Sequence, residues 1–242
     1  MATYNGASFI TEQLDSILCQ LNDWDEIIIS DDGSSDDTLA IIEAYNDKRI
    51  KIFKHIGGKN PWDIIGGDKK CYLVSKNFDN ALRHCNGQYI FLCDQDDMWT
   101  HDKVQKMIEV MQSHPDCCVV CNSVLVDVNG KVISKPLRPK NVNLSLKHQL
   151  LHPMFSGCTM AFDSKFKKRI VPMPRWIPSH DFFIGLTAIV TKRLYLLDEP
   201  LHLYRSRNGE NTSASINNSL LFKIAYRQYT LHCIFWRMLI VK

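Results

Sequence analysis

Apolar residues in the first half of the chain recur with two alternating periods. Phe9, Ile10, Leu14, Ile17, Leu18 and Leu21 return at three- and four-residue steps, which predicts an amphipathic helix that Ser8 is placed to cap. Ile27, Ile28 and Ile29 form an unbroken β-branched run, as expected of a strand covered on both faces. A polar turn over 31–37 leads to a second helix marked by Leu39, Ile41, Ile42 and Tyr45. Residues 50–53 read as a strand, 76–86 as a helix and 89–93 as a further buried strand, and Val104, Met107, Ile108 and Met111 mark another helix. Strands alternating with helices of this length predict a doubly wound α/β layer on a mostly parallel sheet, with helices on both faces. The first helix begins so close to Met1 that the expectation is a truncated opening strand, or a chain recorded from downstream of its natural start.

The second half is less regular. Residues 117–126 read as a strand, and Val128-Asn129-Gly130-Lys131 carries a hairpin-turn signal. A loop rich in Pro and Lys follows over 135–147. Strands are expected at 158–162 and 193–197, with a helix around 182–190 between them. The mixture suggests one sheet to which the later half adds a second wall.

Composition narrows the class without naming it. The 242 residues are 45% hydrophobic and 23% charged, which excludes disordered and fibrous chains. A formal net charge of +3 is too near balance to announce a nucleic-acid binder. The nine cysteines follow no disulfide-rich spacing, so a reducing, cytoplasmic setting is expected. Cys117, Cys118 and Cys121 lack a second pair at zinc-ribbon spacing and read as buried thiols in a strand.

Two acidic turns carry the candidate chemistry. In Phe91-Leu92-Cys93-Asp94-Gln95-Asp96-Asp97-Met98-Trp99, three carboxylates stand at the end of a buried strand, where open α/β sheets place ligands. Packed like charges raise one another's pKa, and a divalent cation such as Mg or Mn removes that conflict. A helix cap needs one such carboxylate, not three. The second turn, Ser30-Asp31-Asp32-Gly33-Ser34-Ser35-Asp36-Asp37-Thr38, places Asp31 or Asp32 to accept hydrogen bonds from a base or ribose, and Asp36 or Asp37 to cap the next helix. Both turns are acidic and repel a phosphate backbone, which argues against nucleic acid as partner.

Together with Met1-Ala2-Thr3-Tyr4-Asn5-Gly6, Lys76-Asn77-Phe78, Gly157-Cys158-Thr159-Met160, His180-Asp181, Leu197-Asp198-Glu199-Pro200 and Tyr204-Arg205, these turns resemble the family 2 glycosyltransferases, in order, over about residues 1–213. The Asp-Gln-Asp-Asp-x-Trp form most resembles bacterial rhamnosyltransferase-like members. The resemblance implies a GT-A fold, a nucleotide-sugar donor, a divalent cation (Mg or Mn) and inversion at the anomeric carbon. It divides the chain into a nucleotide-binding half (about 1–99), an acceptor half (about 100–213) and a tail (214–242). It places Thr3, Tyr4 and Asn5 in the nucleotide pocket, Asp32 on the base, Asp94 near the ribose, Asp96 on the metal and Asp97 behind it. Lys76 joins the substrate-binding set, and Arg205 offers a cation to the departing diphosphate. Asp181 would be the general base, and from its position alone it reads equally as a helix N-cap.

The chain departs from the family pattern in three places: the short opening, Tyr204-Arg205-Ser206-Arg207-Asn208-Gly209 where Tyr-Arg-x-His-Gly is usual, and a long stretch over 57–70 that reads as a surface loop. Trp99 reads as core packing and His180 as a loop-orienting group. Trp176 is a weaker candidate for acceptor contact. In the tail, Lys223, Arg227, Thr230 and Arg237 share one helical face, which suits either a membrane interface or packing on the domain. The expectation is an inverting transferase that moves a sugar from dTDP-rhamnose or a UDP-hexose to a hydroxyl of a growing surface polysaccharide or lipid-linked glycan. The alternative is a silent, glycosyltransferase-like protein that binds nucleotide or a partner without turnover. Retention of Asp94, Asp96 and Asp181 argues against decay.

Overall fold

The computed structural model describes residues 1–206 and 218–240. Three parallel strands, β1 (Ala2–Thr3), β2 (Ile27–Asp31) and β3 (Ile50–Lys54), form one ladder in that order. Helices α1 (Ile10–Leu18), α2 (Thr38–Ala44) and α3 (Lys69–His84) connect these strands to the rest. The second ladder has the order β4-β7-β6-β8-β5, built from β4 (Tyr89–Phe91), β5 (Met98–Trp99), β6 (Cys118–Val126), β7 (Met160–Asp163) and β8 (Leu194–Arg205). Here β6 and β8 run parallel, whereas β4–β7, β6–β7 and β5–β8 are antiparallel. Pairing is therefore mixed rather than mostly parallel: the first ladder is wholly parallel, and the second is antiparallel except for the long β6–β8 pair.

The opening strand is present as two residues. Ala2 and Thr3 pair with Ser30 and Asp31, and the Met1 ammonium donates to Ile28 O at 2.8 Å. Met1 O in turn accepts from the Ser30 amide. These bonds satisfy the inner edge of β2 that a missing strand would expose. On its far side, β1 meets the other ladder through Ala2 N–H to Cys93 O at 3.4 Å. So short a strand leaves a seam where a continuous sheet was expected.

Local chemistry explains the helix boundaries. Ser8 does not cap α1: the helix starts after Phe9 without a side-chain cap, and Gly6 O accepts from the Phe9 and Ile10 amides. Asp36 takes the Thr38 amide at 3.1 Å at the start of α2. Helix α3 begins at Lys69, seven residues before the expected start, because Asp68 accepts from the Lys70 and Cys71 amides. Part of the expected 57–70 loop is thus a capped first turn. The remaining helices are α4 (Lys103–Ser113), α5 (Leu146–Leu151), α6 (Ser164–Ile170), α7 (His180–Val190) and α8 (Leu220–Ile240).

Three apolar clusters hold the layers. Ile10, Leu14 and Ile17 of α1 pack on Ile27, Ile29, Cys93 and Trp99, which makes Trp99 a core residue as its position suggested. Phe78 and Leu82 of α3 meet Phe162, Phe166 and Phe183 beneath the second ladder, and Ile234 of α8 joins them. Met107 and Met111 of α4 cover Val119, Cys121 and Leu201. The nine cysteines are free thiols, and burial pushes Cys117 up to about 12 and raises Cys118 and Cys121.

Helix α8 follows the second of its two expected readings, packing on the domain. Most of the face marked by cations packs on the domain: Thr230 is buried, Arg227 donates to Leu150 O, and Arg237 donates to Arg169 O and Pro172 O, while Lys223 is exposed. The face left to solvent is mixed, carrying Leu220, Leu221, Ile224, Phe235, Trp236 and Leu239 together with Lys223, Gln228 and His232. Among the described residues, no helix is long and apolar enough to cross a membrane. The 207–209 departure and the expected boundary near 213 lie outside the described residues.

Candidate active site

The C-terminal ends of β1, β2 and β4 open into a cleft of about 1690 Å³. Thr3, Tyr4, Asn5, Asp32, Asp94, Asp96 and Asp181 all line it. These residues come from segments up to 178 positions apart, and the fold brings them to one cavity.

The nucleotide-side loop is built by side-chain bonds to the backbone. Thr3 Oγ1 donates to Asp31 Oδ1 at 2.8 Å, and Asp31 also accepts from the amides of Gly33 and Ser34 and from Ser34 Oγ. Asp31 is therefore consumed in its own turn, which needs Gly33 at φ 78°. Asp32 is the carboxylate that faces the cleft, its Oδ1 lying 2.8 Å from His55 Nδ1. Asn5 adopts the left-handed region at φ 49° and stitches the loop to this turn. Its amide donates to Ser34 Oγ, and its Oδ1 accepts from the Ser35 amide.

The acidic turn divides its carboxylates between fold and cleft. Asp97 is buried, accepting from the Arg205 amide at 2.9 Å and lying 3.0 Å from His202 Nε2. Burial opposes its ionisation, yet His202, the Arg205 amide and Lys103 together hold it below the usual carboxylate range. Lys103 Nζ donates to Cys158 O at 2.8 Å and lies 3.4 Å from His202 Nδ1. Asp94 is the opposite case. Burial, with Asp96, Asp97 and Asp181 nearby, pushes it well above the ordinary value.

These oxygens fit a hard divalent cation: Asp94 and Asp96 line the cleft, and their mutual repulsion is what a cation relieves. Among the described residues, Asp97, Cys158 and His202 also bring potential ligand atoms within 4.8 Å of one another. That cluster fits a metal poorly, because it is fully buried and the Lys103 ammonium already supplies its positive charge.

Asp181 is the second residue of α7, and Ser179 holds the N-cap position. The Asp181 Oδ1 accepts from Ser179 Oγ and from the Phe182 amide at 2.7 Å. His180 is buried, stacked on Phe78 with centroids 4.1 Å apart, and its amide donates to Ser75 Oγ. Burial lowers its pKa, so the ring is neutral at pH 7. This supports an orienting role. Gly157 is glycine for a steric reason, since a Cβ there would lie 2.4 Å from His180 Nε2.

Two expected substrate contacts are placed elsewhere. The Arg205 guanidinium lies beneath the acidic turn, not in the cleft, with 1% of its side chain exposed. It donates to Glu12, to Asp96 O at 3.1 Å and to Val128 O at 2.9 Å. One donor braces the turn's backbone at Asp96, and others hold Glu12 and Val128. Lys76 likewise does not line the cleft and pairs with Asp79 at 3.7 Å on the same helix. Its neighbour Asn77 reaches the site instead, donating to Thr3 O at 3.1 Å. Trp176 also lies off the cleft, its carbonyl accepting from Trp62 Nε1.

Sequence reasoning passed over His55, Lys103 and His202, whose partners are distant along the chain. It also passed over Gln95, whose side chain meets the Tyr4 backbone at 2.8 Å in both directions. Its position between two aspartates of the acidic turn was the available signal.

The family model for glycosyl transferase family 2 matches residues 1–61 and 70–170, and the chain belongs to that family. The dTDP-rhamnosyl transferase RfbG of Shigella flexneri is 30% identical over 236 residues, covering 94% of this chain and 77% of the relative. An uncharacterized glycosyltransferase of Rickettsia typhi is 25% identical over 222 residues, covering 88% of this chain and 65% of that protein. Among solved structures, Staphylococcus aureus TarS in complex with UDP-GlcNAc superposes with a TM-score of 0.65 at 20% identity, over 97% of this chain and 71% of that one. A mannosyltransferase from Pyrobaculum calidifontis, in complex with GDP-Man and Mn2+, gives 0.58 at 18% identity, over 98% and 72%. The fold is GT-A.

The bracing position of Arg205 has a measurable consequence. Arg205→Met is expected to cost about 3 kcal/mol, at the low end for a buried charge pair because Glu12 is half exposed. Thermal stability and metal-dependent nucleotide affinity should fall together. Weaker nucleotide binding at an unchanged melting temperature would instead put the guanidinium on the phosphates.

Proposed function

We propose that the chain is an inverting, metal-dependent transferase that moves a hexosyl or rhamnosyl group from a nucleoside diphosphate sugar to a glycan hydroxyl. The observation that carries this reading is the convergence of Thr3, Tyr4, Asn5, Asp32, Asp94, Asp96 and Asp181 on one cleft. The Shigella relative supports dTDP-rhamnose as donor, and the UDP-GlcNAc bound by TarS keeps a UDP-sugar in view.

Thr3, Tyr4 and Asn5 hold the nucleoside, and Asp32 is placed to accept from the base. Asp94 lies toward the ribose, and Asp96, with Asp94, would hold a Mg or Mn ion. That ion supplies charge neutralisation for the departing diphosphate. A sugar hydroxyl is a poor nucleophile, so a carboxylate must take its proton during attack. The bonds to Asp181 fall on Oδ1, which leaves Oδ2 to accept that proton. Direct displacement on the face opposite the leaving group inverts the anomeric centre. Holding donor and acceptor in line supplies the rest of the rate.

The acceptor fits a growing surface polysaccharide or a lipid-linked glycan at the inner face of the plasma membrane. Exposed apolar side chains on α8, Trp236 and Leu239 among them, support peripheral contact there. Two measurements test these parts separately. Asp181→Asn should leave nucleotide binding intact and lower transfer by about 10²–10⁴-fold; transfer near the wild-type rate would move the base elsewhere. The double variant Trp236→Ser, Leu239→Ser alters only side chains that already face solvent. It should abolish co-sedimentation with anionic phospholipid vesicles, and unchanged co-sedimentation would remove α8 from the membrane.

A further inference from the structure

Gln95 stands between Asp94 and Asp96, yet its side chain is directed at main chain. The Tyr4 amide donates to Gln95 Oε1 at 2.8 Å, and Gln95 Nε2 donates to Tyr4 O at 2.8 Å. Along one edge a primary amide presents its carbonyl acceptor beside one of its two N–H donors in a single plane, so it pairs with a residue's N–H and C=O as a neighbouring strand would. A glutamate at this position could accept but not donate. Main-chain contact between β1 and the segment after β4 includes the long Ala2–Cys93 bond, and Gln95 extends this seam to Tyr4.

The loop is shaped around this contact. A Cβ on Gly6 would lie 2.4 Å from both Cδ and Oε1 of Gln95. Gly6 is absent from the glycines with positive φ, so close approach, not backbone conformation, is what requires glycine there. Toward β2 the same loop is tied by other bonds. Asn5 pairs with Ser34 and Ser35, the Gly6 amide donates to Thr38 Oγ1 at 2.7 Å, and the Ala7 amide donates to Asp36 Oδ2 at 3.1 Å. Gln95 ties the loop toward the acidic turn.

We propose that Gln95 is a positioning residue that locks the nucleotide loop to the metal-bearing turn, so that a nucleoside diphosphate and its divalent cation are bound as one cooperative ligand. This rests on the nucleotide-sugar reading above. Order imposed on the Asp94–Asp96 turn by a cation is passed to Tyr4 through two hydrogen bonds, and order imposed on Tyr4 by a nucleoside returns by the same route. Coupling of this kind is reciprocal: whatever factor the cation adds to nucleotide affinity, the nucleotide adds to cation affinity.

The test uses the full chain with Gln95→Ala and Gln95→Glu, each checked for a cooperative thermal transition. Hydrogen exchange read by mass spectrometry over residues 1–10, without ligand, should be about five- to tenfold faster at Tyr4 in the alanine variant. The glutamate variant, which keeps the acceptor, should lie between alanine and wild type. Unchanged exchange in the alanine variant would overturn the clamp. Calorimetric titration with UDP and with dTDP, with and without Mn2+, then reads the coupling. The enhancement that Mn2+ gives the wild type should shrink by about tenfold in Gln95→Ala, with metal-free nucleotide affinity changed far less. Equal enhancement in both proteins would overturn the coupling. A wild type that binds neither nucleotide would defeat the nucleotide-sugar reading itself, and with it the coupling, while the exchange measurement still decides the clamp.

Discussion

The crowding of carboxylates at the end of β4 is the constraint on which the site depends. Asp94, Asp96 and Asp97 share one turn, and Asp181 is near enough to raise Asp94 further. The fold resolves part of this repulsion and leaves the rest. From beneath, His202, the Arg205 amide and Lys103 compensate Asp97, while the Arg205 guanidinium takes the carbonyl of Asp96. Asp94 is relieved only slightly, by the Met1 ammonium, and stays pushed up. The two residues therefore act on stability with opposite sign. Asp97, depressed, contributes stability that is present above the ordinary carboxylate range and lost as pH falls through its lowered value. Asp94, raised, favours the fold most below the ordinary range, and that contribution is lost as pH rises through its elevated value. At neutral pH the cation-free site thus carries a stability cost that binding a cation would offset.

Much of the architecture was legible because it rests on local period. The isoleucine run at 27–29, the helical stripe from Ile10 to Leu18 and the strand around Ile90 each follow from patterns a few residues long. What escaped that reading was short or irregular. Two residues of β5 carry no periodic signal, and β8 passes through Asp198-Glu199-Pro200, where composition argues for a turn. Its pairing with β6 absorbs this through register shifts near Asn122. The start of α3 carries no apolar stripe, because its first residues, Lys69 and Lys70, are charged and exposed and Asp68 defines the turn.

The candidate site divides along the same line. Residues facing the cleft stand in acidic or polar turns after strands, which marks the 94–97 turn and the pair Asp31 and Asp32 as candidates, while the choice of Asp32 comes from the resemblance. Residues that hold those turns in place carry no such mark. His202 lies 105 positions from Asp97, and Lys103 lies 99 positions from His202, so no spacing rule joins them. Arg205 shows the converse hazard. The resemblance offers it as a cation for the diphosphate, whereas burial and its bonds to Glu12, Asp96 O and Val128 O make it a brace. Lys76 differs again, since one position along its helix decides between facing Asp79 and facing the cleft that Asn77 lines.

The most direct test of this account is calorimetric titration of the wild type and of Asp96→Ala with UDP and dTDP, each in Mn2+ and in EDTA. The account predicts that the wild type binds at least one nucleotide strongly in Mn2+ and far more weakly in EDTA, and that Asp96→Ala loses this difference. The tighter nucleotide would identify the donor class. Folded wild-type protein that binds neither nucleotide, or binds equally with and without the ion, would contradict it.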